Sequence, residues 1–119
     1  MSKIPKKLRD QLALDPFYRT CCITGLPGSS WDRIEWHHNL IHAGKQVQAE
    51  FAILPVKHSI HMLATNPIIK ERMDWVMLNR ASENEIRQYS KVVDFASRRR
   101  YLNEIFGPWN PHAYAPELA

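Results

Sequence analysis

Two short stretches of this chain, WHHNLIH (residues 36–42) and HSIH (residues 58–61), hold five of its six histidines. A neutral imidazole can ligate a metal ion or accept a proton near neutral pH without unusual tuning. His37 and His38 are adjacent, so on a regular strand their side chains point to opposite sides. One can then hold a metal while the other approaches a substrate from another direction. His58 and His61 are three apart and share one face if a helix begins near His58. That division of labour suits phosphodiester hydrolysis. A base takes a proton from water as it attacks phosphorus in line, and a divalent cation offsets charge on the phosphate and the leaving oxygen. Neutral ligands leave the cation's charge uncancelled, which favours an anionic substrate.

Other chemistries fit less well. His38 and His42 have the i, i+4 spacing of a metalloprotease H-E-x-x-H helix, but Asn39 stands where the glutamate belongs and Gly44 would soon break the helix. Cys21 and Cys22 are the only cysteines. Adjacent in sequence, they chelate poorly compared with a C-x-x-C pair and are expected as small core side chains. Trp31 and Trp36 are both expected to pack into the core. His42 is expected in a loop, meeting phosphate or solvent, and His112 is expected to be solvated.

These residues have to be positioned by elements that the pattern also predicts. Pro5 opens a short helix carrying Leu8 and Leu12, stopped by Asp15-Pro16. CCITGLPGSSWD (residues 21–32) reads as turns. RIEWHH (residues 33–38) reads as a strand, the segment around Ala43-Gly44-Lys45 as a loop, and FAILPV (residues 51–56) as a second strand. Pro55 marks an edge position or a strand end. Asn66-Pro67 reads as N-cap and first helical residue, with Ile69, Met73, Val76 and Met77 on the buried face through about Arg80. Ser82 and Glu85 form a capping box opening another helix. Ile86, Tyr89, Val93 and Ala96 mark its buried face, and it is expected to run to Phe106, where Gly107-Pro108 ends it. Beyond that the tail looks irregular.

The chain has 119 residues, enough for one domain. It divides into an N-terminal helical arm (1–19), a histidine-bearing core (20–65), a helical region (66–107) and the tail (108–119). A net charge of +4 and a pI near 9.3 point to a polyanionic partner. Lys45, Lys57, His42 and the run Arg98, Arg99, Arg100 are the residues expected to meet nucleic acid, with Lys6 and Lys7 beside them. Three consecutive arginines span most of a helical turn, so they cannot all face one partner. No apolar run approaches the ~20 residues of a membrane span, and the positive N-terminus lacks the apolar region of a secretory signal. A reducing, cytoplasmic setting is expected.

IEWHHNLIHAGK and FAILPVKHSIHM together resemble the HNH endonucleases, also called ββα-metal or His-Me finger nucleases. Within that family the pattern looks nearest the phage recombination-enhancement, RecA-dependent nuclease branch. The resemblance covers residues 20–65 and implies an α+β fold, a ββα-metal core flanked by an N-terminal helix and C-terminal helices. It implies a DNA endonuclease in which His38 is the general base and His37 and His61 are metal ligands. His58 is either a third ligand or a substrate contact. CCITG is similar to the family's C-x-x-C-G knuckle, with Thr24 at the second cysteine. Lys57 and Ile60 replace the other cysteine pair, so the structural zinc of many relatives is not expected. Ala52 stands at the asparagine that braces the loop in relatives, so that loop must be held otherwise. Family habit favours one Mg²⁺ or Mn²⁺, whereas imidazole ligands favour Zn²⁺ or Ni²⁺. Double- or single-stranded DNA is the expected partner, with a recombination or phage protein beside it. The alternatives are a non-catalytic DNA-binding or assembly module and an RNA-directed or toxin-like nuclease.

Overall fold

The computed structural model describes residues 4–109, so the end of the expected irregular tail, His112 included, lies outside the described residues. Helix α1 (Lys6–Leu14) buries Leu12 with Leu8 beside it, one helical turn apart. Asp15 ends α1 and starts a 3-10 turn (Pro16–Arg19), its side chain accepting from Phe17 N at 2.9 Å. This turn drives Tyr18 into the core. The CCITG knuckle closes on itself: Cys21 O accepts from Gly25 N at 2.8 Å, and Leu26 O accepts from Cys21 N at 2.9 Å. Both cysteines are buried and free, as expected of core residues.

Strands β1 (Ile34–His38) and β4 (Ile53–Lys57) pair antiparallel, setting His37 opposite Leu54 and His38 opposite Ile53. The second strand begins later than FAILPV suggested, because Glu50–Ala52 forms a 3-10 turn. Pro55 lies mid-strand opposite Trp36 in a sheet of two strands among the described residues, and its backbone polar edge faces away from β1, so no ladder bond is lost to its missing N–H. Its carbonyl instead accepts from Cys22 N at 2.9 Å, tying the knuckle to the sheet. Strand β4 is buried on both sides, Leu54 and Val56 in the main core and Ile53 in a smaller cluster with Leu12 and Tyr18. That explains its unbroken apolar run. Between β1 and β4 the expected loop is a small hairpin, β2 (Ile41–His42) and β3 (Lys45–Gln46). Ala43 and Gly44 both have positive φ, as a type I′ turn requires.

Helix α2 (His58–His61) is a single turn following directly from β4. Helix α3 (Pro67–Arg80) starts as expected, Asn66 Oδ1 accepting from Ile68 N at 3.0 Å and Ile69 N at 3.3 Å, and it buries Ile69, Met73, Val76 and Met77. The capping box opens α4 (Glu83–Tyr89). Here the expectation of one helix to Phe106 fails. The chain breaks at residues 90–94, and α5 (Phe95–Phe106) starts afresh on an Asp94 cap that accepts from Ser97 N at 3.2 Å. Ser90 Oγ bonds back to Ile86 O and closes α4, and Val93, expected on the buried face, is exposed. Gly107 ends α5 with φ 89°, a conformation L side chains rarely adopt. Trp31 is 89% exposed and not in the core, whereas Trp36 packs on Tyr18 as expected.

The described residues thus form an α+β fold of five α-helices and two small antiparallel sheets, with α3 packed between α5 and β4. No helix among them is long and apolar enough to cross a membrane.

Candidate functional site

Alternation along β1 places Glu35 and His37 on the same face as Leu54 and Val56, the face that meets the core. Helix α2 docks beside this face. Its entry is fixed from two directions: His58 N donates to Arg33 O at 2.9 Å, and Asp32 accepts from Ser59 N at 2.8 Å and from Ser59 Oγ at 2.7 Å. These bonds hold the Asp32 carboxyl below the usual carboxylate range. His61 Nε2 then stands 3.1 Å from His37 Nδ1, and its other nitrogen, Nδ1, lies 2.9 Å from Glu35 Oε1. His58 Nδ1 stands 3.1 Å from both oxygens of the same carboxylate. Hydrogen bonds from His61 and then His58 hold the Glu35 pKa down. His37 is pushed down to about 4, chiefly by burial, with the neighbouring His61 and Lys70 adding to the effect. It is neutral at physiological pH.

A carboxylate only accepts, so His61 carries a proton on Nδ1, and as a neutral ring it presents a bare Nε2 to His37. Two imidazole nitrogens, each ~2.1 Å from one metal ion, stand roughly 3.0–3.4 Å apart. The His37–His61 separation fits that spacing, and Glu35 occupies the place of the carboxylate that commonly orients a ligating histidine. The fit is to two protein donors. Among the described residues no group of three His, Cys, Asp or Glu is arranged to hold a metal ion. His58, expected as a third ligand or substrate contact, has its Nδ1 on the same Glu35 carboxylate that His61 bonds.

His38 is on the opposite face of β1, as adjacency dictates. Its Nε2 lies 3.0 Å from Gln48 Oε1. With the amide oriented so, Nε2 carries the proton and Nδ1 is left with a free lone pair. Both tandem histidines line a cleft of about 430 Å³ whose walls include Asn39, Thr65, Lys70 and Asp74. Asn39 is buried just past His38, donating from Nδ2 to Asp74 Oδ1 at 3.0 Å and from its backbone N to Ala52 O at 2.8 Å. The loop that lacks a bracing asparagine at Ala52 is held by Tyr18. Its hydroxyl stands 2.6 Å from Glu50 O and 2.8 Å from Ile53 O, sharing one proton between two carbonyls. Burial pushes that phenol's pKa up.

Most of the expected nucleic-acid residues meet partners within the protein. His42 packs its ring edge-on against Tyr89, centroids 5.0 Å apart. Lys57 lies 3.8 Å from Asp32, and Lys45 is exposed on the small hairpin. Arg98 reaches Asp74 at 3.7 Å, Arg99 reaches Glu83 at 2.9 Å, and Arg100 donates to Ser97 Oγ at 2.9 Å. Glu35, Gln48 and Tyr18 were not foreseen. Only Glu35 left a signal, being two positions before His37 on a strand and therefore on the same face.

Set against known proteins, the chain matches no family model, no curated protein and no solved structure.

Proposed function

We propose that this protein is a metal-dependent endonuclease that hydrolyses DNA phosphodiester bonds, built on a ββα-metal core formed by β1, β4 and α2. The observation that carries the reading is the separation of roles across β1. His37 and His61 face each other 3.1 Å apart with Glu35 behind, while His38 opens into the same cleft from the other side of the strand. His37 and His61 would hold one divalent cation, which when bound offsets negative charge on the phosphate and leaving oxygen. Glu35 keeps the His61 Nε2 lone pair aimed inward. Gln48 accepts from His38 Nε2 and so presents Nδ1 as the base that takes a proton from the attacking water. Burial keeps His37 unprotonated and fit to donate its lone pair.

The two-donor count favours a second reading, a DNA-binding or assembly module that keeps the fold without catalysis. The deciding experiment incubates purified protein with supercoiled plasmid and, in parallel, single-stranded DNA and RNA, under Mg²⁺, Mn²⁺, Ni²⁺, Zn²⁺ or EDTA. His38→Ala runs alongside, with its fold and metal content checked. Metal-dependent nicking lost in a folded, metal-loaded His38→Ala supports the nuclease. Inert proteins that still bind DNA support the module, preferential RNA cleavage shifts the substrate class, and cleavage that survives the substitution refutes His38 as the base.

A further inference from the structure

The cleft contains one cation that the sequence did not single out. Lys70 lies on the first turns of α3 and lines the same cavity as His37 and His38, and among the described residues it is the cavity's one lysine or arginine. Its ammonium makes a short bond to Asp74 Oδ1 at 2.7 Å and two longer ones, to Asn39 Oδ1 at 3.2 Å and Asn39 O at 3.4 Å. Asp74 also meets Arg98 at 3.7 Å. Two cations on one carboxylate leave this corner with a surplus positive charge beside His37. The short bond anchors the ammonium at the cleft wall. The two long ones are those it can exchange for a stronger acceptor, since a hydrogen bond to an anionic oxygen is shorter and stronger than one to an amide.

Resting on the nuclease reading above, we infer that Lys70 is a substrate-binding residue, its ammonium contacting a non-bridging oxygen of the phosphodiester in the histidine cleft while Asp74 holds it in place. A lysine used this way acts as a point charge on phosphate and stabilises charge that builds up as water attacks.

The test compares wild type with Lys70→Gln, whose amide can still bond Asp74 and Asn39 but carries no charge, and with Lys70→Arg, which keeps the charge. Four quantities are measured: kcat/KM for plasmid nicking, metal affinity by calorimetry, melting temperature, and the salt dependence of binding a short DNA duplex in EDTA. The expected result for Lys70→Gln is a fall of about 10²-fold in kcat/KM with metal affinity and melting temperature unchanged. Its salt slope should fall by about one, one phosphate contact having been lost. Lys70→Arg should retain most of the rate. If wild type nicks DNA and Lys70→Gln nicks equally well, the Lys70 contact is overturned and the nuclease reading stands. A rate loss matched by lost metal affinity also overturns it, because Lys70 then acts through Asn39 on the histidine strand. Should wild type cut nothing, the nuclease reading fails; the salt slope alone then decides whether Lys70 touches phosphate.

Discussion

Replacing Glu35 tests the whole chain of reasoning at the candidate metal centre. Its carboxylate accepts from His61 Nδ1 at 2.9 Å and lies 3.1 Å from His58 Nδ1. In Glu35→Gln one amide oxygen remains for His61, while the NH₂ group is turned toward His58 and the negative charge is gone. In Glu35→Ala both contacts are lost, and the His61 ring is free to rotate or to change tautomer. The Glu35 side chain is 31% exposed, so the fold should lose no more than about 1 kcal/mol. Metal affinity should fall further. Loss of the partner behind a ligating histidine commonly costs 10–100-fold, or about 1.4–2.7 kcal/mol. We expect about tenfold for Glu35→Gln, about a hundredfold for Glu35→Ala, and no measurable binding for His61→Ala. Calorimetric titration with Mn²⁺ and Ni²⁺ reads the affinities, and thermal melts in EDTA confirm that each variant is folded. Affinity unchanged in Glu35→Ala would refute the orienting role, and a wild type that takes up no metal would refute the centre itself.

Three further outcomes follow from the same geometry. Tyr18→Phe leaves Glu50 O and Ile53 O without their shared proton in a buried setting and should cost about 1–3 kcal/mol in urea unfolding; a loss below about 0.5 kcal/mol would mean that something else braces the loop. In EDTA, the protein should lose stability as pH falls from about 6.5 toward about 4, because the unfolded chain protonates His37 while burial keeps the folded ring neutral. The contribution is at most about 3 kcal/mol, and His37→Gln should flatten that part of the profile; an identical slope in both proteins would place the titration elsewhere. Asp94→Ala removes the cap that starts α5 and should destabilise the fold by about 1 kcal/mol, whereas Trp31→Ala, at an exposed tip, should change it by less than about 0.5 kcal/mol in the same measurement.

Much of the architecture could be read along the chain because its determinants are local. Asn66-Pro67, the Ser82–Glu85 box and Gly107 each act on backbone groups within four residues, so a short window of sequence carries the signal. The same holds for the opposed directions of His37 and His38, which follow from strand alternation alone. The break between α4 and α5 was also local, in Ser90 and the Asp94–Ser97 cap, but the apolar spacing of Ile86, Tyr89, Val93 and Ala96 masked it. The start of β4 was shifted by a 3-10 turn that apolar content cannot distinguish from strand.

The candidate site divides along the same line. The sequence by itself determined which imidazoles are available, which pair shares a helical face and which pair must separate across a strand. Tertiary structure decided what each one meets. Glu35 reaches His61 across 26 positions, Tyr18 reaches Ile53 across 35, and Asn39 reaches Asp74 across 35. Such contacts depend on how β1, α2 and α3 settle against a common apolar core, and no spacing rule encodes that docking. Polar side chains brought into the core by that packing must then find partners among whatever groups the docking leaves near them.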